Sequence, residues 1–285
     1  MTIREHITAA RARLISAGID LSQSSLDPSL LARHLLCWDT ATLFSRDREE
    51  PPAGFEDAYR PLIDRRVRRE SVAYIRGVQE FWGRDFEVSP AVLIPRPETE
   101  LIIEELMAER ARFEAPFKLA VDVGTGSGCL AVTMAAEIPG IEVVATDAST
   151  AALDIARRNA QRHHVSRRVE FLHGRYLAGA RGPFDVIVSN PPYVTEPDYT
   201  TLQPEVRDHE PASALVAGPD GLRDIREIVR IASTALARGG LLVMEFGYNQ
   251  AADVEEIVMA NQLKILKVRE DLQRIPRVIV AERPV

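Results

Sequence analysis

The sequence predicts an α/β fold: a seven-stranded, mostly parallel sheet, preceded by a small all-helical domain and a β-hairpin linker. Three observations carry this reading. From Phe117 to the C-terminus, short apolar runs alternate with amphipathic stretches. Up to about residue 75 there are helix signals and no convincing strand. A turn with glycines at 124, 126 and 128 closes the first apolar run. Repeated βα units imply parallel strands covered by helices on both faces.

Taken in order, Thr2 is placed to cap a helix running to Ser16, with Gly18 near its end. Asp27-Pro28 reads as a cap followed by proline at the first helical position, and "SLLARHLLCW" supplies an apolar face. "GFEDAYRPLIDRRVRRE" is a third helical stretch, expected to break near Pro61. These stretches make a helical domain over residues 1–75. Alternating Phe81, Phe86 and Val88, with turn residues Gly83 and Pro90, mark a hairpin linker over 76–97. A helix starting near Glu98 and running through "ETELIIEELMAERARF" opens the α/β domain, 98–285. Its strands are "KLAVDV", "EVVATD", "RVEFLHG", "FDVIVSN", "GLLVMEFG", "LKILKVRED" and "RVIVAER". The last two are joined by a short turn and should be antiparallel.

A chain of 285 residues suits a large domain with a small one, and 46% apolar content is ordinary for a globular protein. No apolar run approaches the roughly 20 residues of a membrane span. The N-terminus lacks the pattern of a secretory signal. Cys37 and Cys129 are far apart and lack metal-ligand spacing, so a cytoplasmic protein without a metal is expected. Cys129 reads as a small helix residue packed on the sheet. His163 and His164 are adjacent, face different directions and read as a surface helix end. A net charge of −7 weakens the case for nucleic acid without excluding a basic patch. "DRRVRRE" reads as a solvated helix face, with a docking surface as the alternative.

Chemistry enters with "AVDVGTGSGCLAV". In an open α/β sheet, ligands bind outside the carboxyl ends of the strands, where a glycine-rich turn lets backbone approach them. The dinucleotide fingerprint would need glycine at 129, where this chain has Cys129. Asp122 followed by Gly124, Gly126 and Gly128 resembles instead the S-adenosylmethionine (AdoMet) site of class I methyltransferases, which are Rossmann-like. Asp147 closes the second strand, where a carboxylate can take both ribose hydroxyls. Asp122 can face the cationic methionine end of AdoMet, a place that would repel a pyrophosphate. A dinucleotide site and a turn that binds nothing stay open as alternatives, as does a merely satisfied strand-end carboxylate at Asp122.

"FDVIVSNPPYV" ends a core strand on Asn190-Pro191-Pro192-Tyr193. Proline fixes its own φ and pushes the preceding residue into extended geometry, so the segment is stiff. A rigid turn with no further role is the plain alternative. The tetrapeptide resembles the signature of AdoMet methyltransferases that act on planar nitrogens. Such a nitrogen is a poor nucleophile with two N–H donors, which an Asn side-chain oxygen and a proline carbonyl can accept. A ring at Tyr193 can pack against the planar group. Transfer is direct, so positioning should supply much of the rate.

"RGVQEFWGRDFEVSPAVLIPRPETE", "DVGTGSG", "SNPPYV" and "EPASALVAGPDGL" together resemble the PrmC/HemK family, over nearly the whole chain. These are protein-(glutamine-N5) methyltransferases acting on the Gly-Gly-Gln motif of class 1 peptide chain release factors. The resemblance implies that the helical domain docks the release factor. It implies that Asp122, Gly124, Thr125, Gly126, Ser127, Gly128, Asp147, Tyr176 and Asn190 hold AdoMet, with S-adenosyl-L-homocysteine as product. It also implies that Asn190, Pro191, Pro192 and Tyr193 hold the glutamine, with Asn190, Pro191 and Tyr193 as catalytic residues. One departure stands out: Arg175 occupies the place where the family carries an acid near adenine, and it cannot accept from the adenine amino group. A monomer is expected, with neither membrane nor nucleic acid as partner. The alternatives are an amino-group (N6-adenine type) methyltransferase of nucleic acid, a binding scaffold without turnover, and a nicotinamide oxidoreductase.

Overall fold

The computed structural model describes residues 1–110, 117–177 and 179–285, and the chain divides into two units. The first unit comprises Met1–Val78 together with Gln203–His209. Its helices are α1 (Ile3–Ser16), α2 (Leu21–Leu36), α3 (Thr40–Arg46), α4 (Phe55–Val67) and α5 (Val72–Arg76). Thr2 and Glu5 form a capping box at the start of α1, as the sequence suggests.

Two proline readings are corrected. Asp20, and not Asp27, caps α2, and Pro28 lies well inside that helix. Pro61 likewise lies within a continuous α4. An interior proline typically costs a helix about 3 kcal/mol. Tertiary packing outweighs it here: Pro28 is buried with Leu31 and Ala32, and its carbonyl accepts the Tyr59 hydroxyl at 2.8 Å.

Asp27 serves a different purpose. It accepts from Arg66 Nε at 2.7 Å, while Arg66 Nη1 donates to Glu205 at 2.9 Å and Nη2 to Gln23 at 2.8 Å. The Arg66 side chain is 2% exposed, so the expectation of a solvated basic run fails at this position. Burial raises the Asp27 pKa, and Arg66 opposes the rise. Helices α3 and α5 carried no readable signal, being too short for a period to show.

The second unit opens with a hairpin, β1 (Val78–Phe81) and β2 (Arg84–Glu87), whose turn residues Trp82 and Gly83 both have positive φ. That is the backbone of the tight turn that matches strand twist. Helix α6 (Glu100–Arg110) follows a 3-10 turn at Pro97–Thr99; its expected extension to Phe113 lies outside the described residues. Then come β3 (Leu119–Val123), α7 (Cys129–Glu137), β4 (Glu142–Asp147), α8 (Thr150–Arg162), β5 (Val169–His173) and β6 (Phe184–Ser189). After the short helices α9 (Glu196–Tyr199) and α10 (Pro204–Arg207) come α11 (Arg223–Ala235), β7 (Leu236–Glu245), α12 (Ala251–Ala260), β8 (Lys264–Glu270) and β9 (Pro276–Glu282). Of these, α10 belongs to the first unit. Strand β7 starts at Leu236, ahead of the expected Gly240, through an irregularity opposite Phe184–Val186.

The seven-stranded sheet has the order β5-β4-β3-β6-β7-β9-β8, parallel except for the pairings of β9 with β7 and β8. Side chains alternate between two apolar layers. Ala120, Val186, Val188, Leu241 and Val243 face the layer that holds α6 and α7. Val121, Ile187, Leu242 and Met244 face the layer that holds α11 and α12. Strand order reverses on either side of β3, the point where open sheets of this kind leave a crevice. Among the described residues, no helix is long and apolar enough to cross a membrane.

Arg66→Met should destabilise the helical unit by about 3–5 kcal/mol, because Asp27 would remain buried without its cation and Glu205 would keep only its Arg69 contact at 3.2 Å. Denaturant unfolding followed by helical circular dichroism measures this. A loss below about 1 kcal/mol would show that the two acids find other partners.

Candidate functional site

A cavity of about 460 Å³ opens over the carboxyl ends of β3, β4 and β6, within the size range of small-molecule sites. Its wall includes Gly124 to Ser127, Asp147, Tyr176 and Asn190 to Pro192.

The glycine loop is shaped by backbone conformation. Gly124, Gly126 and Gly128 all have positive φ, at 76°, 55° and 80°. A Cβ on Gly128 would come within 3.0 Å of the Ala156 Cβ on α8, so that position is also closed by packing. Gly124 and Gly126 have open space where a Cβ would stand, and both border the cavity. Asp147 Oδ2 accepts from Gly126 N at 2.9 Å and Oδ1 from Ser149 N at 2.8 Å, leaving each oxygen capacity for a further donor.

Asp122 is 1% exposed and lies beneath the loop, outside the cavity wall. Its Oδ2 accepts from the Thr125 hydroxyl at 2.6 Å and from Ala131 N at 3.1 Å, while Oδ1 is buried without a partner. Burial pushes its carboxyl up to about 7 against those hydrogen bonds. Cys129 lies in the core, its thiol pushed up to about 12 by burial. His163 ends α8, with its ring against Phe86 and Nε2 at 2.9 Å from the Asp85 carbonyl oxygen. Among the described residues, no cluster of metal-ligating side chains occurs.

Asn190 follows β6 directly. Its Nδ2 donates to Thr99 Oγ1 at 2.9 Å, and its Oδ1 is buried without a hydrogen-bond partner. Thr99 in turn donates to Glu245 Oε2 at 2.7 Å, and the Tyr193 hydroxyl donates to Glu245 Oε1 at 3.0 Å. Tyr193 is not part of the cavity wall; its ring packs against the apolar layer of α11 and α12. Gln250 holds the turn from behind, donating Nε2 to the Tyr193 carbonyl at 3.1 Å. Two glycines give the turn room. A Cβ on Gly221 would meet the Tyr193 carbonyl oxygen at 2.3 Å, and one on Gly247 would meet the Tyr193 ring at 3.1 Å. Sequence reasoning missed Thr99, Glu245 and Gln250, which carry no local motif.

On the opposite wall, Arg175 and Tyr176 both border the cavity, Tyr176 with φ 53°. The Tyr176 hydroxyl donates to Asp224 Oδ1 at 3.0 Å. Asp224 is itself a cavity residue, so an acid does stand in this wall, delivered by the first turn of α11. A further pairing ties two rims together: Glu210 accepts from Ile94 N at 3.1 Å and from Arg96.

The sheet order, the glycine loop over β3, the acid at the end of β4 and the Asn-Pro-Pro-Tyr turn after β6 define a class I AdoMet-dependent methyltransferase. Residues 97–205 match the model of the methyltransferase small domain, and residues 5–77 that of the PrmC N-terminal domain. A release factor glutamine methyltransferase of Nitratidesulfovibrio vulgaris is 39% identical, over 99% of this chain and 95% of that protein. One of Koribacter versatilis is 41% identical, over 100% and 99%. A methyltransferase structure from Pyrococcus furiosus matches with a TM-score of 0.53 at 19% identity, over 78% of this chain and 99% of that one, a likeness of fold. The chain belongs to the release factor glutamine methyltransferase family.

AdoMet fits the residues present. The loop leaves open space at two cavity glycines, Asp147 retains acceptor capacity, and Asp122 keeps an unpaired oxygen beneath the floor. A cation above the loop favours the ionised form of Asp122. AdoMet affinity should therefore rise as pH increases through about 7, where Asp122 loses its proton. Asp122→Asn should flatten that dependence. Calorimetric titration across this range is the check, and an equally steep profile in the variant would assign the titration to another group.

Proposed function

We propose that this chain methylates the side-chain amide nitrogen, N5, of the glutamine in the Gly-Gly-Gln motif of class 1 peptide chain release factors. The observation that carries the reading is Asn190, a residue of the cavity wall whose side-chain oxygen has no hydrogen-bond partner, on a turn stiffened by two prolines. Bound AdoMet supplies an electrophilic methyl group on a cationic sulfur and leaves as S-adenosyl-L-homocysteine. Gly124 to Gly128 and Asp147 would hold it, with Tyr176 as a further wall of its site and Asp122 adding negative charge beneath the loop.

The glutamine amide has two N–H donors and a lone pair shared with its carbonyl. Asn190 Oδ1 and the Pro191 carbonyl accept those hydrogens, which turns the nitrogen toward the methyl donor and supports pyramidalisation. Pro192 fixes the geometry of the turn, and Tyr193 braces it from behind. The nitrogen gains one carbon bond and sheds one proton, so no base need act before transfer. Fixing donor and acceptor in line is the main source of rate.

Residues 1–75 form the docking domain, which Gln203–His209 joins, 76–97 the hairpin linker and the rest of 98–285 the catalytic domain. The helical unit exposes Leu21, Leu26 and Phe44, apolar side chains suited to a protein partner. Action as a monomer in the cytoplasm belongs to the same reading, and two free cysteines suit that compartment. The names of the relatives support the glutamine reading and not a nucleic-acid substrate.

Incubation of a release factor with AdoMet and this protein should add one methyl group to that glutamine, seen by peptide mass spectrometry. Asn190→Ala should lower the rate by about two orders of magnitude, the usual cost of one preorganised hydrogen-bond partner, with AdoMet affinity intact. Asp147→Ala should do the reverse, weakening AdoMet by about 2–3 kcal/mol in calorimetry. Near wild-type turnover in Asn190→Ala would remove the proposed role. Phe44→Glu should raise KM for an intact release factor and leave a Gly-Gly-Gln peptide unaffected; an equal effect on both would end the docking assignment.

A further inference from the structure

We infer that Glu245, acting through Thr99, sets the direction in which the Asn190 amide faces and is a positioning residue for methyl transfer. The inference rests on the reading of Asn190 as the glutamine-binding group. The half-buried Asn190 and two buried groups form one chain: Asn190 Nδ2 to Thr99 Oγ1 at 2.9 Å, then Thr99 Oγ1 to Glu245 Oε2 at 2.7 Å. Glu245 is 1% exposed and Thr99 is 1% exposed, so water cannot substitute for either partner.

The direction of the chain follows from donor counts. An ionised carboxylate only accepts, and a threonine hydroxyl has one proton. Thr99 gives that proton to Glu245 and is left with lone pairs for Asn190. Only the NH₂ end of Asn190 can satisfy those lone pairs. Its carbonyl oxygen must therefore point away from Thr99, and this is the oxygen that is buried without a partner. The second Glu245 oxygen accepts from Tyr193 at 3.0 Å, three residues further along the same turn. One carboxylate thus fixes both ends of the tetrapeptide. Glu245 lies outside the cavity wall and acts only through these neighbours.

Protonation undoes the arrangement. A neutral carboxyl has a donor of its own, and Thr99 can then turn its hydroxyl toward Asn190, which invites the amide to flip and present NH₂ to a substrate that is itself a donor. Burial holds the Glu245 carboxyl at about 7, raised further by Glu98 and opposed by Thr99, Tyr193 and Arg277; Cys129 is the thiol that faces it from α7. Turnover should therefore rise with pH through about 7 as Glu245 ionises. Asp122 titrates in the same range, so the profile is read as kcat at saturating AdoMet, where a bound cation keeps that carboxylate ionised.

The test is kcat against pH for the full chain acting on a release factor, with AdoMet affinity and melting temperature measured alongside. Thr99→Val should lower kcat about 10- to 100-fold at pH 8, as misplacement of a reacting group does, and abolish the acidic limb, with AdoMet affinity unchanged. Thr99→Ser, which keeps the hydroxyl, should recover most of the loss and restore the limb. Glu245→Gln should lose the limb whatever its rate. If Asn190→Ala is inactive while Thr99→Val and Glu245→Gln keep the wild-type rate and profile, the relay is wrong and the site reading stands. If Asn190→Ala itself turns over normally, the site reading fails and takes the relay with it. A fall in kcat matched in every variant by weaker AdoMet binding, with the acidic limb intact, would mark Glu245 as a structural residue and overturn the inference.

Discussion

Both faces of β3, β6 and β7 are covered, and this constraint decides where polar chemistry can stand. A strand packed on two sides admits only apolar side chains along its length, since an unpaired buried polar group costs several kcal/mol. Charged residues are therefore confined to the strand ends, Asp185 and Arg238 near the amino ends and the row under the cavity at the carboxyl ends, where the ladder stops. Asp122 closes β3 one residue before its end, Asp147 ends β4, Ser189 ends β6 and Glu245 ends β7. Ser189 spends its hydroxyl on the Val123 carbonyl at 2.7 Å and so fastens the ends of two neighbouring strands together. The cavity forms over that row because the strand order reverses at β3 and the flanking helices diverge.

Asp122 and Glu245 share a further property that follows from alternation. Asp122 is two residues from Ala120, and Glu245 two from Val243, so both side chains fall on the face covered by α6 and α7. Both are buried, both are pushed up to about 7, and both keep the charged form within reach through two hydrogen-bond donors each. The donors differ in what they fix. Thr125 and Ala131 tie Asp122 to the glycine loop and the first turn of α7, which suits a role in the cofactor floor. Thr99 and Tyr193 tie Glu245 to the Asn-Pro-Pro-Tyr turn. Two carboxylates of similar burial thus support two different walls of one cavity.

How much of this was legible follows the range of each interaction. The strands, the glycine loop and the Asn-Pro-Pro-Tyr turn are local features, and apolar periodicity or turn chemistry displays them directly. The parallel sheet with its antiparallel final pair followed from the order of elements. Thr99 and Glu245 are 146 residues apart, and neither belongs to a pattern that names the other. Arg66 read as one charge in a basic run because Asp27 and Glu205, the partners that make it a core residue, are 39 and 139 residues away. Pro28 and Pro61 were read by local propensity, which packing overrode. Arg175 was seen as a missing acid, and the acid in that wall, Asp224, enters from α11, 48 residues beyond Tyr176.

The Asn-Pro-Pro-Tyr turn shows why a motif is not yet a site. Two prolines restrict φ at their own positions and bias Asn190, but they leave the Asn190 side chain and the carbonyl of Tyr193 undirected. The rest of the unit supplies that direction. Gln250 draws the Tyr193 carbonyl inward, and its Oε1 is itself fixed by Gly247 N at 2.8 Å. Gly221 and Gly247 permit the approach, since a Cβ at either would strike Tyr193 or Gln250. Glu245 holds the Tyr193 hydroxyl and, through Thr99, the Asn190 amide. Every one of these groups lies outside the tetrapeptide. A weak nucleophile reacts only when its lone pair is held in line with the methyl donor, and tolerance for error in that alignment is small. The four residues name the chemistry, while the residues behind them determine whether the geometry is held tightly enough for it to occur.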